Sequence, residues 1–212
     1  MNPAFPLTIS ALALFISALT AWLTLLRRGT VKMTQPTVIY FGRDSAGYGP
    51  PKVFLRALLY PTAKRGRVVQ SMHVTLSRNE ARQNFHIWVY GQRDGMVRGS
   101  GLYVGETGVA ANHHFMIPKN SSKFEFVEGV YKLEVFAQLV GDKSAIPLLE
   151  QTLEVSRENA TAMTSIHTGL YFDWGPDSQR YLSHLDVKGA APTPEELAEA
   201  IGMPRDLEDE SS

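Results

Sequence analysis

The sequence of 212 residues contains no cysteine. Disulfide bonds, thiolate nucleophiles and zinc sites with cysteine ligands are therefore excluded. The absence does not fix the compartment, because a chain without cysteine survives in oxidising and reducing environments alike. The length allows one membrane anchor and one domain of about 150 residues, which can bury a sufficient core without cross-links.

The chain also has no formal net charge, with 21 basic and 21 acidic residues, and we expect no nucleic-acid partner. This neutrality conceals an asymmetry. Residues 27–158 hold 18 basic and 11 acidic residues, whereas residues 159–212 hold 3 basic and 10 acidic ones. The sequence therefore predicts a basic body followed by an acidic tail, two regions that can act on charged partners or on each other.

Charged residues are missing altogether from residues 4–26, which are rich in leucine, alanine, phenylalanine and isoleucine. A helix of these 23 residues would reach about 35 Å, enough to cross a hydrocarbon core of about 30 Å. This predicts a single N-terminal transmembrane helix, with residues 1–28 as the anchor. A cleaved signal peptide is the alternative, but residues 1–7 contain none of the lysine or arginine that it needs.

The flanks of the apolar run predict its orientation. Arg27, Arg28 and Lys32 all follow it, and no basic residue precedes it. By the positive-inside rule we expect the domain in the cytoplasm and the N-terminus outside, with the lipid membrane as one partner.

Small residues recur along one face of the same helix at spacings of three and four. They are Ser10, Ala13, Ser17, Thr20 and Thr24. Such a stripe lets two helices approach closely and predicts a homo-oligomer. The alternative is chance, because these residue types are common in apolar helices.

Period-2 alternation of apolar residues dominates the chain after a linker at 29–36. The predicted strands are 37–41, 52–60, 68–76, 85–89, 102–104, 109–117, 131–139 and 149–155. Short polar or glycine-rich turns separate them, and no helix intervenes. We therefore expect a mainly β domain over residues 37–189, an antiparallel β-sandwich of the immunoglobulin-like or C2-like kind.

One strand carries a family resemblance. Residues 126–135 read F-x-x-G-x-Y-x-L-x-V. This pattern resembles the loop and strand late in immunoglobulin-like and related sandwiches, where a tyrosine often ties the corner to upstream backbone. The resemblance implies such a contact for Tyr131, and it implies an architecture without an activity.

The remaining chain predicts three further elements. A short helix should begin at Ser156, and residues 169–174 should form an edge strand or a segment packed on the sandwich. In the acidic tail, residues 190–212, a capping box at 193–196 predicts a second helix. That helix could dock on a partner or latch onto the basic body.

Four residues are candidate ligands or catalytic groups. His113 and His114 are neighbours in a strand, so they should point to opposite faces, with His113 buried and hydrogen-bonded. Asp173 and Asp177 flank Trp174-Gly175-Pro176, a composition equally typical of a tight turn. Because no metal-ligand spacing is present, we expect no metal and no cofactor, and the structural interpretation is favoured for all four.

A basic cluster at a predicted hairpin tip contains Lys64, Arg65 and Arg67. It could contact anionic lipid or a phosphate-bearing ligand, or it could be a solvated loop. Since no catalytic motif is present, we expect a membrane-anchored binding or scaffolding module with another protein as its partner. The alternative is a hydrolase or small-ligand sensor that uses the histidines and aspartates in a cleft.

Overall fold

A computed structural model of the chain describes residues 4–23, 28–44, 49–92, 95–118 and 124–187. The acidic tail and Thr24 lie outside the described residues. The helices are α1 (Ala4–Ala21) and α2 (Arg157–Ala162). The strands are β1 (Val31–Met33), β2 (Val38–Arg43), β3 (Pro51–Pro61), β4 (Arg67–Arg78), β5 (Ala81–Phe85), β6 (Ile87–Gln92), β7 (Gly95–Arg98), β8 (Leu102–Val104), β9 (Val109–Met116), β10 (Gly129–Leu139), β11 (Ile146–Val155), β12 (Thr168–Gly175) and β13 (Arg180–Val187).

The predicted transmembrane anchor at residues 4–26 is not supported. Among the residues that the structure describes, no helix is both long enough and apolar enough to cross a membrane. The helical part, α1, is 18 residues long, which gives about 27 Å against a hydrocarbon core of about 30 Å.

The strands form two antiparallel sheets, as predicted. The larger sheet has the order β13-β12-β2-β3-β9-β6-β7, with β1 paired to β3. The smaller sheet has the order β11-β10-β4-β5, with β8 paired to β4. The sheets face each other across one hydrophobic core, so the prediction of a mainly β, sandwich-like domain is confirmed.

Alternation along each strand places the core. The predicted inward face of β10 is confirmed, since its five alternating side chains are at most 2 % exposed: Tyr131, Leu133, Val135, Ala137 and Leu139. From the larger sheet, Phe41 packs against Phe126 at 5.0 Å and against Tyr131 at 5.8 Å between ring centroids. These contacts join the two sheets.

The prediction of one strand at 85–89 is wrong. Phe85 ends β5 in the smaller sheet, and Ile87 begins β6 in the larger one. The chain changes sheets at His86, which reverses the expected phase. Trp88 and Tyr90 are buried at 3 % and 6 % exposure, because large aromatic side chains gain more from burial than Ile87 and Val89.

The boundaries of the domain also differ from prediction. The supposed linker contains β1, which pairs with the end of β3 through Val31 and Pro61. The predicted edge strand at 169–174 is β12, which lies inside the sheet between β13 and β2. The true edge, β13, has four charged or polar residues among eight and only a weak apolar alternation.

Two local predictions are confirmed. The Tyr131 hydroxyl donates to the Val127 carbonyl and accepts from the Val127 N–H, both at 2.9 Å, which is the corner contact implied by the resemblance. Ser156 caps α2 by accepting from the Asn159 N–H at 3.2 Å.

Candidate functional site

The outer face of the larger sheet carries a continuous row of side chains across six neighbouring strands. Strand register places them opposite one another in turn. They are His184, Tyr171, Tyr40, Phe54, His114 and Val89, and we call them the outer row. Five of the six carry aromatic rings, whereas a solvent-facing antiparallel sheet usually alternates to polar residues there.

The rings of the outer row contact each other along the sheet. The rings of Tyr171 and His184 stack with centroids 5.4 Å apart, and those of Tyr40 and Tyr171 are 4.7 Å apart. Phe54 and His114 form a further pair at 4.8 Å. These separations lie in the range where aromatic pairs attract beyond simple area burial. The outer row is therefore a pre-packed surface.

Two glycines make room for the central ring. A Cβ added at Gly42 or at Gly169 would collide with the Tyr40 side chain. The ring therefore lies over the backbone of two adjoining strands and is 3 % exposed although it is on the outer face. The Lys52 Nζ lies 5.8 Å from the ring centroid, within reach of a cation–π contact.

Three polar pairs lie beside the outer row. Lys52, itself 8 % exposed, donates to Asp44 at 2.8 Å. Two further pairs flank the row: the Arg56 guanidinium donates to Asn112 at 2.9 Å, and His184 Nδ1 lies 3.1 Å from the Asp173 carboxylate. The face consequently presents rings and paired polar groups without a strong field of either sign.

Burial keeps two members of the outer row, Tyr40 and His114, neutral near pH 7. Burial, followed by the neighbouring Tyr171 and Asp186, raises the pKa of Tyr40 to about 12. Burial and the charge of Lys52 lower the pKa of His114 to about 4, against a smaller opposing effect of Asp44. Tyr40 is thus a phenol and His114 an uncharged imidazole.

His113 faces the core, as predicted, and is fully buried. The Trp88 indole N–H donates to its Nδ1 at 3.2 Å, so the imidazole proton resides on Nε2. That atom has no hydrogen-bond partner among the described residues. Burial, followed by the effect of His114, lowers the pKa of His113 to about 4.

The four candidate residues do not come together. His113 and His114 lie on opposite faces of β9, and Asp173 on β12 is three strands from β9, or about 14 Å. Asp177 is exposed in the turn between β12 and β13. None of the four lines the cavity of about 310 Å³ beside α2, whose polar walls include Arg43, Glu128 and Arg157. Among the residues described, no group of three potential ligands could hold a metal ion.

The predicted basic cluster is divided by the structure. The Arg67 guanidinium donates to the Gly29 carbonyl at 2.7 Å and to the Asp142 carboxylate at 2.6 Å, so it fastens two loops. Lys64 and Arg65 are exposed at the tip between β3 and β4. Only these two remain as surface cations of the cluster.

The small-residue stripe lies on α1, where every described side chain from Thr8 to Leu23 is exposed. The Thr20 hydroxyl donates to the Ile16 carbonyl of its own helix at 2.8 Å. Self-association through Ser10, Ala13, Ser17 and Thr20 stays a prediction, because the structure contains one copy of the chain.

Comparison with known proteins assigns no family. No family model matches the chain, and no curated protein matches it. A solved family 123 glycoside hydrolase from Clostridium perfringens, described for glycolipid glycan hydrolysis, superposes with a TM-score of 0.35 and 6 % identity. The match covers 61 % of this chain and 27 % of the hydrolase. A likeness this weak carries no argument about fold or function.

Sequence reasoning missed the outer row. Tyr40, Phe54, Tyr171 and His184 are separated by up to 144 positions (184 − 40), and each alone is an ordinary strand residue. The one signal available was that both Tyr40 and Phe54 fall out of phase with buried neighbours. Their alignment depends on the order and register of six strands, which alternation within a strand does not specify.

Proposed function

We propose that this chain is a non-enzymatic β-sandwich module that binds a protein partner on the outer row. The single observation that carries the proposal is the aromatic row itself. Tyrosine and other aromatic residues are enriched at the centres of protein interfaces, where rigid rings bury much area at small entropic cost. On a solvent-facing antiparallel sheet, polar side chains are the usual occupants of these positions.

The dimensions favour a protein over a small ligand. Six strands set about 4.8 Å apart make the outer row about 24 Å long. That length matches one side of a standard interface of about 800 Å² per partner and exceeds what a small ligand covers. The paired charges around the row favour a partner surface that is itself near neutral, since a charged surface would meet no compensating field.

The alternative function, a hydrolase or small-ligand sensor, has less support. Its candidate residues lie on different faces and strands, and the Asp173–His184 pair is about half exposed at each side chain. A general base needs a nucleophile within hydrogen-bond reach. The described residues supply no such contact to His184 beyond Asp173.

Membrane attachment on the cytoplasmic side is a further part of the proposal. The support is the exposure of apolar side chains on α1 and directly after it, with Leu14 at 72 %, Phe15 at 64 % and Trp22 at 51 %. Exposed apolar side chains in such number are typical of an interaction or membrane surface. We propose that lipid covers these side chains, and the basic residues Arg28 and Lys32 support a cytoplasmic position for the domain.

Site-specific photo-crosslinking in living cells tests the binding surface. A benzophenone amino acid is placed at Phe54 or at Tyr171 in the outer row. The matched control is Phe136, an aromatic residue on the outer face of the smaller sheet that stacks on His73 at 5.0 Å. We expect an adduct of one mass from both row positions and none from the control.

A second substitution makes the test specific. With the crosslinker at Phe54, Tyr171→Ala should reduce the adduct about tenfold, as loss of a central interface residue does. Circular dichroism checks that each variant is folded. Equal adducts from all three positions, or folded variants with no adduct from either row position, would refute the proposed surface.

A further inference from the structure

Four loops meet at the end of the sandwich where the chain leaves α1. They are residues 28–30, 62–67, 105–108 and 140–145, which we call the basic end. The Thr62 N–H donates to the Thr30 carbonyl at 2.8 Å, and Arg67 binds both Gly29 and Asp142. Pairing of Arg67 with Val104 brings in the third loop. These bonds hold the loops as one surface.

The basic end is strongly biased in charge. Its four loops contain five basic residues and two acidic ones, a net charge of +3. Asp142 is occupied by Arg67 at 2.6 Å. Exposed cations remain at Arg28, Lys64, Arg65 and Lys143. The segments that join strands at the opposite end, 44–50, 78–81, 117–129 and 156–167, hold four basic and five acidic residues, so the excess of basic residues is a property of the four loops of the basic end.

Apolar side chains are exposed on the same end. Tyr103, beside the hairpin tip at Gly66, is 61 % exposed, and Val140 is 54 % exposed. Basic residues with nearby aromatic and aliphatic side chains form the pattern by which peripheral surfaces enter a lipid interface. The chemistry of this end therefore matches lipid better than it matches a soluble polyanion.

The basic end is continuous with the apolar helix. Arg28 is the fifth residue after the described part of the chain that contains α1. The backbone at Gly29 is held against the sandwich, because Arg67 donates to the Gly29 carbonyl. The backbone also packs closely there, since a Cβ at Gly29 would meet Ala63 at 2.7 Å. Lipid that covers α1 would thus lie next to Lys64 and Arg65.

We propose that the basic end docks on the headgroups of an anionic bilayer and so fixes the orientation of the sandwich on the membrane. The inference rests on the proposed attachment through α1 and adds the lipid class and the surface that contacts it. In this orientation the strands lead away from the bilayer and the outer row stays open to a partner.

Quenching by nitroxide lipids tests the docking. Because the chain lacks cysteine, a fluorophore can be attached to Ser144→Cys at the basic end or to Glu80→Cys at the opposite end, both exposed positions. The full chain is mixed with vesicles of phosphatidylcholine, with or without phosphatidylglycerol. Flotation isolates the bound protein before fluorescence is measured.

We expect quenching of the Ser144 probe that increases when phosphatidylglycerol is present, and no quenching of the Glu80 probe. Arg65→Gln should lower the ratio of docked to undocked protein about fivefold, since one basic residue near an anionic surface contributes about 1 kcal/mol. The matched control is Arg82→Gln, an exposed arginine on β5, which should change the ratio less than about twofold.

The outcomes separate the two proposals. If the full chain fails to float with either vesicle, the attachment through α1 is wrong and the docking falls with it. If it floats but the Ser144 probe is unquenched, or is quenched equally without phosphatidylglycerol, the docking alone is wrong. Equal losses in Arg65→Gln and Arg82→Gln would also overturn it, because they would show a non-specific charge effect.

Discussion

The two sheets share one core but treat their outer faces differently. The larger sheet carries aromatic rings across six strands, with Tyr40 almost fully covered. On the smaller sheet, Lys132 lies between two carboxylates, 3.3 Å from Glu134 and 3.1 Å from Glu150. That face therefore carries an ion cluster of its own, whereas the face of the larger sheet carries a row of aromatic rings.

The two outer faces should differ in how much they contribute to stability. Ion pairs on an exposed face contribute little, because solvent screens them and side-chain entropy opposes them. Buried rings and an uncharged histidine contribute much, but they depend on close packing and on protonation. We therefore expect the larger sheet to be sensitive to acid and to added volume, and the smaller sheet to tolerate loss of its surface charges.

Acid should produce the largest effect, through His113. Its pKa is about 4 in the folded protein and 6.5 when exposed. Above pH 6.5 both states are neutral; below it the unfolded chain binds the proton first, so stability falls until about pH 4. The loss is about 3 kcal/mol. Urea unfolding at several pH values in this range should show the slope of the unfolding free energy against pH. His113→Gln should reduce this slope.

A matched variant serves as the control for the acid experiment. His86→Gln removes an exposed histidine and should keep the slope of the unmodified protein. His114, whose pKa is also about 4, should leave part of the slope in His113→Gln. A slope as steep in His113→Gln as in the unmodified protein would contradict the assignment to His113.

Added volume under Tyr40 should have the next largest effect. Gly169→Ala places a Cβ against the ring and should cost about 2 kcal/mol, because the buried ring has little room to move. Gly91→Ala is the control on the same face, where the nearest atoms to a Cβ are at 3.5 and 3.6 Å. Thermal and urea unfolding measure the stability of the two variants. Equal losses of stability would show that Tyr40 is not closely packed.

Loss of the corner contact in the smaller sheet should cost less. Tyr131→Phe removes a hydroxyl that makes two bonds to Val127, and we expect about 1 kcal/mol of destabilisation. The value is moderate because Val127 is 39 % exposed and water can replace the hydroxyl. Tyr103→Phe, at an exposed tyrosine, is the control for urea unfolding. If Tyr131→Phe were as stable as Tyr103→Phe, the corner contact would not contribute to stability.

The sequence predicts features that depend on neighbouring residues and misses those that depend on distant strands. The inward face of β10 and the Ser156 cap were both predictable, because alternation and capping act within a few residues. The sheet change at His86 was not, since residues 87–90 are apolar throughout and alternation there does not show which side chains face inward. For the outer row, no local pattern encodes the pairing of Tyr171 with Tyr40.

The smallest effect is expected from the ion cluster on the smaller sheet. Lys132→Met removes a cation whose side chain is 45 % exposed. Its pKa is raised by the hydrogen bonds to Glu150 and Glu134, yet solvent screens the cluster, so the thermal midpoint should stay within experimental error. Calorimetry at low and high salt is the measurement. A loss as large as that of Tyr131→Phe, abolished by salt, would mean that this face is held by its charges. The contrast between the two sheets would then rest on the outer row alone.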